Sequence, residues 1–218
     1  MSVTCPRCGE ENPDRARFCM ACSEPLAVEA PAREERKVVS VLFVDLVGFT
    51  AASESADPED VRARLQAYHA RAKSEIERFG GTVEKFVGDA VMAAFGAPVA
   101  HEDDAERAVR AGLAILDAMA ELDLEARAAV NSGEAVVALS ARPELGEAFV
   151  TGDVVNTAAR LQSAAPAGEL VAGEQTYWAT RHAIDYEQLA PVTAKGKSEP
   201  VALWRAVGAR SRFGVDLE

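Results

Sequence analysis

The stretch VLFVDLVGFT, residues 41–50, decides the fold. Nine of its ten residues suit a buried β-strand and the turn that follows it. The tenth is Asp45, an acid inside an apolar run. Because burying an unpaired carboxylate costs free energy, Asp45 needs a partner. TVEKFVGDAVMAAFG, residues 82–96, raises the same question, since it carries Asp89 between two apolar segments.

Regular elements extend outward from this stretch. Residues 38–46 are rich in β-branched side chains and predict a strand. A helix follows, with Asp57 as its N-cap and Pro58 in its first turn. Apolar residues recur at helical spacing until Gly80 and Gly81, which predict the end of this helix.

The next segments complete a recurring motif. TVEKFV and AVMAAF predict two strands of a hairpin around Gly88 and Asp89. Residues 101–122 have the pattern of a second helix, and residues 125–140 that of a further strand. The order β-α-β-β-α-β predicts an α+β fold with a ferredoxin-like sheet and helices on one face.

Further elements and a small leading segment lie outside this core. GDVVNTAARLQSA predicts another helix, short mixed elements follow it, and residues 200–207 predict a final strand. The polar, proline-containing segment 28–37 is typical of a linker. The predicted organisation is a zinc ribbon at 1–27, a linker at 28–37, a compact domain at 38–207, and a tail or linker to a downstream region at 208–218.

The four cysteines occur only near the N-terminus, as Cys5, Cys8, Cys19 and Cys22. Two C-x2-C pairs in a reducing compartment indicate a zinc site, and four thiolates suit tetrahedral zinc. A segment this short needs such a staple, so metal binding and folding should be one event. Gly9 should relieve the tight turn after the second cysteine. The alternatives are a pair of redox dithiols or an unligated tail.

Composition excludes several classes of function. The chain of 218 residues has a net charge of −12 and a pI of about 4.8, which argues against broad binding to nucleic acid or anionic membranes. No apolar run approaches the roughly 20 residues that span a bilayer. The N-terminus has no apolar core of a signal peptide, so we expect a cytoplasmic protein.

Asp45 and Asp89 are the strongest candidates for chemistry. Asp45 comes at the end of the first core strand and Asp89 at the tip of the neighbouring hairpin, so the two side chains can meet. Two adjacent carboxylates repel unless a proton or cation lies between them, and Mg²⁺ uses one or two carboxylates with substrate phosphates. The alternative is that each is simply a turn or cap residue.

Four motifs then resemble a known family. VLFVDLVGFT, EKFVGDAVMAAFG, VTGDVVNTAARLQ and AKGKSEPVALW are similar, in this order, to the class III adenylate/guanylate cyclase catalytic domain, over about residues 38–207. The resemblance implies a ferredoxin-like cyclase core with extra C-terminal elements that works as a homodimer. It also implies a lyase activity that converts ATP or GTP to the 3′,5′-cyclic monophosphate and pyrophosphate.

The resemblance assigns a metal site and a phosphate site. Asp45, Asp89 and the backbone carbonyl of Leu46 would hold two Mg²⁺ or Mn²⁺ ions per active site. One ion would activate the ribose 3′-hydroxyl, and the other would bind the triphosphate. The turn at 47–50 would direct backbone N–H groups at phosphate oxygens, with Gly48, Phe49 and Thr50 as substrate-binding residues.

Three residues nearer the C-terminus would complete catalysis. Asn156 would orient the ribose, and Arg160, four residues on and so on the same helix face, would stabilise charge on the α-phosphate. Alone, Arg160 would be interpreted as a solvated or ion-paired helix residue. Lys195 matches a lysine that binds the triphosphate, an assignment that depends on the resemblance.

Base choice depends on two positions. Lys85 matches the lysine that reads adenine in adenylyl cyclases, where guanylyl cyclases typically carry glutamate. The second base-reading position holds Phe149, where adenylyl enzymes usually have Asp or Thr. Since a phenyl ring cannot accept hydrogen bonds from the adenine amino group, it should weaken selectivity. Lys85 nevertheless favours ATP, and thus cyclic AMP synthesis for signal transduction.

Other functions stay open at this point. The domain can be a catalytically weak or inactive nucleotide-binding regulator, or a cyclase with relaxed or GTP base preference. The ribbon, with positive charge from Arg7, Arg15 and Arg17, can instead make the chain chiefly an interaction module. The resemblance also leads us to expect an ATPase-like regulatory region downstream in the full-length chain.

Overall fold

In the computed structural model, residues 2–13, 16–26, 34–53, 56–139, 141, 149–192 and 200–211 are described. The chain divides into two compact units, Met1–Arg33 and Glu34–Glu218. Across the described ranges, no helix combines the length and the apolar character needed to cross a membrane.

The first unit contains a two-stranded antiparallel sheet, formed by β1 (Ser2–Thr4) and β2 (Glu11–Pro13). Its buried side chains are those of Cys5, Cys19 and Leu26. A core this small cannot stabilise a fold by apolar burial alone, so the cysteines must contribute.

The second unit is built on a sheet with eight strands among the described residues. In chain order the strands are β3 (Glu34–Leu46), β4 (Thr82–Val87), β5 (Ala90–Phe95), β6 (Ala126–Ala138), β7 (Val150–Thr151), β8 (Leu170–Gly173), β9 (Ile184–Gln188) and β10 (Leu203–Ala209). They are ordered β4-β5-β3-β6-β8-β10-β9, and β7 pairs with β6. The first four pair antiparallel in the order β4-β5-β3-β6, which confirms the predicted ferredoxin-like core.

Helices connect these strands. They are α1 (Phe49–Ser53), α2 (Pro58–Arg78), α3 (Asp104–Met119) with a 3₁₀ turn at Ala120–Leu122, α4 (Asp153–Ala164) and α5 (Glu174–Thr180). The predicted cap of α2 is confirmed, because the Asp57 side chain accepts a hydrogen bond from the Glu59 N–H at 2.8 Å. Gly80, with φ of +78°, follows the end of α2 as predicted.

The alternation of side chains along β3 separates two apolar cores. Leu42 and Val44 pack on one face of the sheet with buried residues of α2 and α3. Val39 and Val41 pack on the other face with buried residues of α4. The prediction of helices on one face therefore describes α2 and α3, whereas α4 is an additional element on the opposite face.

Two strand boundaries differ from those that the sequence indicates. β3 begins at Glu34, inside the stretch 28–37 interpreted as a linker, because residues 34–37 pair along β6. The final strand is Leu203–Ala209 and not residues 200–207. Val201 makes only an isolated bridge to Val192, so the regular ladder with β8 and β9 starts two residues later.

Candidate active site

Asp45 is the second-last residue of β3 and lies opposite Arg127 in the β3–β6 ladder. Arg127 donates to Asp45 Oδ2 from Nη2 at 3.0 Å and from Nε at 3.3 Å, and Gln162 Nε2 of α4 donates to the same oxygen at 3.1 Å. The Asp45 side chain is 19% exposed. Within the described ranges, every hydrogen bond to the Asp45 carboxylate ends on Oδ2, so Oδ1 can take another ligand.

Asp89 lies beside Asp45 because of the strand register. Its neighbour Ala90 is paired directly with Asp45 across the β3–β5 ladder. The two-residue turn Gly88-Asp89 joins β4 to β5, and Gly88 has φ of +62°, a conformation that favours glycine. The two acids thus reach one end of the sheet on neighbouring strands.

Tyr68 of α2 is a buried residue within the electrostatic reach of both carboxylates. Burial raises the pKa of Tyr68 well above its ordinary value, and the charges of Asp45 and Asp89 raise this pKa further. The Tyr68 hydroxyl is buried and has no hydrogen-bond partner among the described residues. Both negative charges therefore act on a single buried hydroxyl.

The turn after β3 adjoins Asp89. Thr50 Oγ1 donates a hydrogen bond to Asp89 Oδ2 at 3.4 Å. Gly48, with φ of +69°, makes the turn into α1, where the first N–H groups have no acceptor within the helix. Val47 differs from its neighbours, since its N–H donates to the Glu125 carbonyl at 2.8 Å. A phosphate cradle would therefore use Gly48, Phe49 and Thr50 without Val47.

The donor set at this end of the sheet fits a divalent cation. Two carboxylates on adjacent strands and the carbonyl of Leu46 at the strand end are hard oxygen ligands, which Mg²⁺ and Mn²⁺ prefer. Arg127 now offsets the charge of Asp45, and its guanidinium would compete with a cation for that carboxylate. The metal role of these residues stays a prediction.

Asn156 and Arg160 lie one turn apart on α4, as predicted. Asn156 is exposed and Arg160 is half-buried. In the part of the chain that the structure describes, neither side chain forms a hydrogen bond or ion pair, and neither contacts Asp45 or Asp89. Of the alternative interpretation, a solvated helix residue stays open for Arg160, and its catalytic role stays a prediction. Lys195 falls in 193–199, outside the described residues.

The two base-reading positions have different environments. Lys85 is exposed on β4, in the hairpin whose tip carries Asp89. Phe149 is 5% exposed and packs in the core beneath α4, with Val39 and Val154 among its neighbours. Phe149 thus contributes apolar packing, and its contact with a base stays a prediction.

The first unit holds a second candidate metal site. The sulfur atoms of Cys5, Cys8, Cys19 and Cys22 all lie within 4.8 Å of one another. Cys5 to Cys22 is 3.6 Å and Cys8 to Cys19 is 3.5 Å, close to the separation of about 3.8 Å expected for tetrahedral ligands with Zn–S bonds of about 2.3 Å. This geometry fits the predicted zinc ribbon.

Two matching turns build this cluster. The Gly9 N–H donates to the Cys5 carbonyl and the Ser23 N–H to the Cys19 carbonyl, both at 2.9 Å. Gly9 and Ser23 have φ of +76° and +58°, which confirms the role predicted for Gly9. Burial opposes ionisation of Cys19, but N–H groups of Cys22 and Ala21 lower its pKa to about 6, so its thiolate form is favoured.

Comparison with known proteins identifies both units. Residues 32–205 match the family described as adenylate and guanylate cyclase catalytic domain. Residues 4–26 match the zinc-ribbon domain. The chain therefore belongs to the class III adenylate/guanylate cyclase family and carries an N-terminal zinc ribbon.

Solved structures of both kinds of cyclase are similar to this chain. The adenylyl cyclase CyaB from P. aeruginosa is 32% identical with a TM-score of 0.78, over 84% of this chain and 100% of that chain. The guanylyl cyclase Cya2 is 29% identical with a TM-score of 0.75, over 83% of this chain and 96% of that chain. The comparison thus shows the cyclase family without distinguishing the base.

Curated relatives are much longer than this chain. Adenylate cyclase 1 of Rhizobium meliloti is 29% identical over 191 residues, which are 79% of this chain and 28% of that protein. An uncharacterized protein of Mycobacterium tuberculosis is 33% identical over 184 residues, 80% of this chain and 33% of that protein. The chain spans 18% to 33% of the length of such relatives.

Sequence reasoning missed Arg127, Gln162 and Tyr68. Arg127 interrupts the apolar run of β6, a signal of the same kind as Asp45 in β3. Tyr68 occupies an apolar position of the helix pattern, and nothing in the sequence indicates that its hydroxyl lies near Asp45 and Asp89. Gln162 lies two residues beyond Arg160, but its contact with Asp45 depends on how α4 crosses the sheet.

Proposed function

We propose that the chain is the catalytic domain of a homodimeric adenylate cyclase, which converts ATP to 3′,5′-cyclic AMP and pyrophosphate. The observation that carries the proposal is the pairing of Asp45 with Ala90, next to Asp89, which brings the two acids to one end of the sheet on neighbouring strands. Such a pair of acids at the end of a sheet suits a cation bound to phosphate.

Side chains of this chain would prepare the metal site. When bound, two Mg²⁺ or Mn²⁺ ions would lower the pKa of the ribose 3′-hydroxyl and neutralise the triphosphate. Asp45, Asp89 and the Leu46 carbonyl would hold them. Arg127 and Gln162 fix Asp45 through Oδ2, so Oδ1 is presented in one orientation.

Other residues would bind and orient the nucleotide. Backbone N–H groups of Gly48, Phe49 and Thr50 would contact phosphate oxygens. Asn156 would orient the ribose and Arg160 would stabilise the charge that develops at the α-phosphate. In the proposed site, Lys195 binds the triphosphate.

A second copy of the chain would complete each site. Asn156 and Arg160 have no contact with Asp45 or Asp89 in the described part of one chain. Every chain nevertheless carries both sets of residues, so self-pairing would form two equivalent sites. The second copy thus supplies the half that one chain lacks.

Lys85 supports ATP as the substrate, whereas Phe149 supports an alternative. An apolar, buried residue at position 149 offers no acceptor to the adenine amino group, which favours relaxed selectivity or GTP use. It also favours a catalytically weak or inactive regulatory domain. The similarity to both CyaB and Cya2 is compatible with either base.

We place this activity in the cytoplasm, as part of a signal-transduction protein with no membrane partner. The net charge of −12 disfavours nucleic acid as a partner. The relatives are longer than the matched region, which is compatible with further regions in the full-length protein, and we propose that a downstream ATPase-like regulatory domain is one of them. The ribbon, with one structural Zn²⁺, would anchor or regulate the cyclase, and an interaction module is the alternative.

The experiment is a cyclase assay with ATP and GTP in parallel, in Mg²⁺ and in Mn²⁺. We expect cyclic AMP as the main product, no turnover for Asp45→Ala, and normal turnover for Asp117→Ala, an exposed acid of α3. Phe149→Asp should raise selectivity for ATP. Absence of any cyclic nucleotide from the wild-type chain would contradict the proposal and favour the regulatory alternative.

A further inference from the structure

Glu84 lies at a β-bulge next to a base-reading position. Val83 pairs with Ala93 and Lys85 pairs with Met92, so Glu84 is an extra residue between them. A bulge of this kind turns two consecutive side chains toward one face of the sheet. Glu84 is accordingly buried on the face that holds Met92 and Phe149.

The Glu84 carboxyl is a buried polar group that no described residue satisfies. The residue is 4% exposed, and neither Oε1 nor Oε2 has a hydrogen-bond partner in the described ranges. A buried acid of this kind is costly, and folded proteins seldom keep one without a reason. The Glu84 carboxyl group has no role in the catalytic mechanism proposed above.

The surroundings of Glu84 include both base-reading positions. Burial raises the pKa of Glu84, while the charge of Lys85 and the nearby backbone of Phe149 and Val150 lower this pKa, although neither N–H forms a hydrogen bond with the carboxyl group. Lys85 and Phe149 are the two positions expected to read the base.

The ladder geometry leaves the Val150 N–H free for Glu84. The Ala138 N–H donates to the Phe149 carbonyl at 2.9 Å, which makes residues 138 and 149 a hydrogen-bonded pair of the β6–β7 ladder. Val150, paired with Val137, is therefore in the non-hydrogen-bonded position. Its N–H points away from β6.

We propose that Glu84 is a positioning residue for base recognition. Its carboxylate accepts a hydrogen bond from the Val150 N–H when nucleotide is bound and attracts the Lys85 ammonium, and so holds Lys85 and the backbone beside Phe149 in one arrangement. Because both carboxylate oxygens are buried, Glu84 acts through these neighbours and does not touch the base. This inference rests on the proposed function.

The test compares two substitutions of Glu84 with a matched control. Glu84→Gln keeps the volume and removes the charge, and Glu84→Met removes the polar group altogether. Glu75→Gln is the control, because Glu75 is a buried glutamate that pairs with Arg71 and Arg78 on α2, a helix that packs on the sheet face opposite to that of Phe149. Thermal unfolding is measured for all three variants beside the wild type.

Selectivity is measured as the ratio of kcat/KM for ATP and GTP, and as the ratio of their dissociation constants by calorimetry. We expect each Glu84 variant to lower the preference for ATP by about tenfold, chiefly through KM, since misplaced polar groups discriminate poorly. Glu75→Gln should leave the ratio unchanged. Glu84→Met should match or exceed the wild-type Tm although its selectivity falls. If Glu84 were merely structural, its replacement would lower the Tm as well.

Two results would overturn the inference, and they differ from failure of the proposed function. An ATP-to-GTP ratio that is unchanged in both folded Glu84 variants would show that Glu84 does not position the base-reading residues. The same conclusion would follow if Glu84→Met and the control Glu75→Gln lost equal amounts of Tm and equal amounts of selectivity for ATP. If the wild type makes no cyclic nucleotide, the proposed activity fails, and the ratio of dissociation constants still tests Glu84.

Discussion

At the scale of single residues, Asp45 shows how an acid is kept inside an apolar strand. Arg127 and Gln162 supply charge-assisted and neutral hydrogen bonds to one of its oxygens, which offsets the cost of burial. The same contacts leave the other oxygen for a cation. Arg127 therefore both stabilises Asp45 and competes with a metal ion for it.

Arg127→Ala should separate these two effects. Removal of the positive charge should raise the apparent affinity for Mg²⁺ by about threefold to tenfold, because a like charge no longer opposes the cation. The kcat should fall, since Asp45 Oδ2 is held only by Gln162. Kinetics at varied Mg²⁺ measure both quantities, with Arg127→Lys as the charge-retaining control. Weaker Mg²⁺ affinity with an unchanged kcat would contradict this account.

Glu84 should also make stability depend on pH. Its pKa is raised from 4.5 by burial, so the folded state holds the proton more tightly than the unfolded state. The resulting stabilisation is present below pH about 4.5 and is lost as pH rises through the raised pKa. Urea unfolding across this range should show a decline in the free energy of unfolding that is smaller in Glu84→Met. Identical pH profiles for the two proteins would show that Glu84 does not titrate in this way.

At the scale of elements, the β4–β5 hairpin carries much of the candidate site. Lys85 lies on one strand and Asp89 at the tip. Helix α2 braces this tip, because His69 Nε2 lies 3.1 Å from the Gly88 carbonyl oxygen and the His69 ring lies 4.3 Å from that of Phe86. The position of Asp89 therefore depends on the turn and on α2 together.

Gly88→Ala tests this dependence. At φ of +62° an alanine is strained, so we expect a loss of about 1–2 kcal/mol in the free energy of unfolding and a larger fractional loss of cyclase activity. Gly80→Ala is the control, because Gly80 has φ of +78° and lies before β4, at the end of that strand opposite to the Gly88 turn. It should lose similar stability and keep its activity. Equal activity losses in both variants would argue against a role for the turn in placing Asp89.

Elements with strong local signals were predictable from sequence, and contacts that depend on register were not. The cap at Asp57 and the hairpin at Gly88 have local causes, and both are confirmed. The contact of Arg127 with Asp45 depends on which residues of β3 and β6 are opposite. The bulge at Glu84 depends on packing against β5, since the sequence continues the strand pattern through it.

At the scale of the whole molecule, the chain combines a cyclase domain with a ribbon that has almost no apolar core. The two compact units have separate buried clusters. Stability of the ribbon should therefore come from the metal, and stability of the cyclase domain from the two cores around its sheet.

Removal of zinc should unfold the ribbon and leave the cyclase domain folded. After treatment with a strong zinc chelator, the amide signals of the ribbon in nuclear magnetic resonance spectra should lose their dispersion and move to random-coil chemical shifts. The signals from the sheet of the second unit should stay at their folded positions. Elemental analysis should find one zinc per untreated chain. Ribbon signals that survive full removal of zinc would contradict a metal-dependent fold.

The most direct test of the central claim is the binding of Mn²⁺ in the presence of nucleotide, measured by electron paramagnetic resonance. Asp45→Asn and Asp89→Asn keep the shape of each side chain and remove its charge, and Asp117→Asn is the matched control. The account predicts that each of the first two variants loses most Mn²⁺ binding while the control binds like the wild type. Mn²⁺ binding that is unchanged in Asp45→Asn and in Asp89→Asn would contradict the proposal that these two acids hold the catalytic cations.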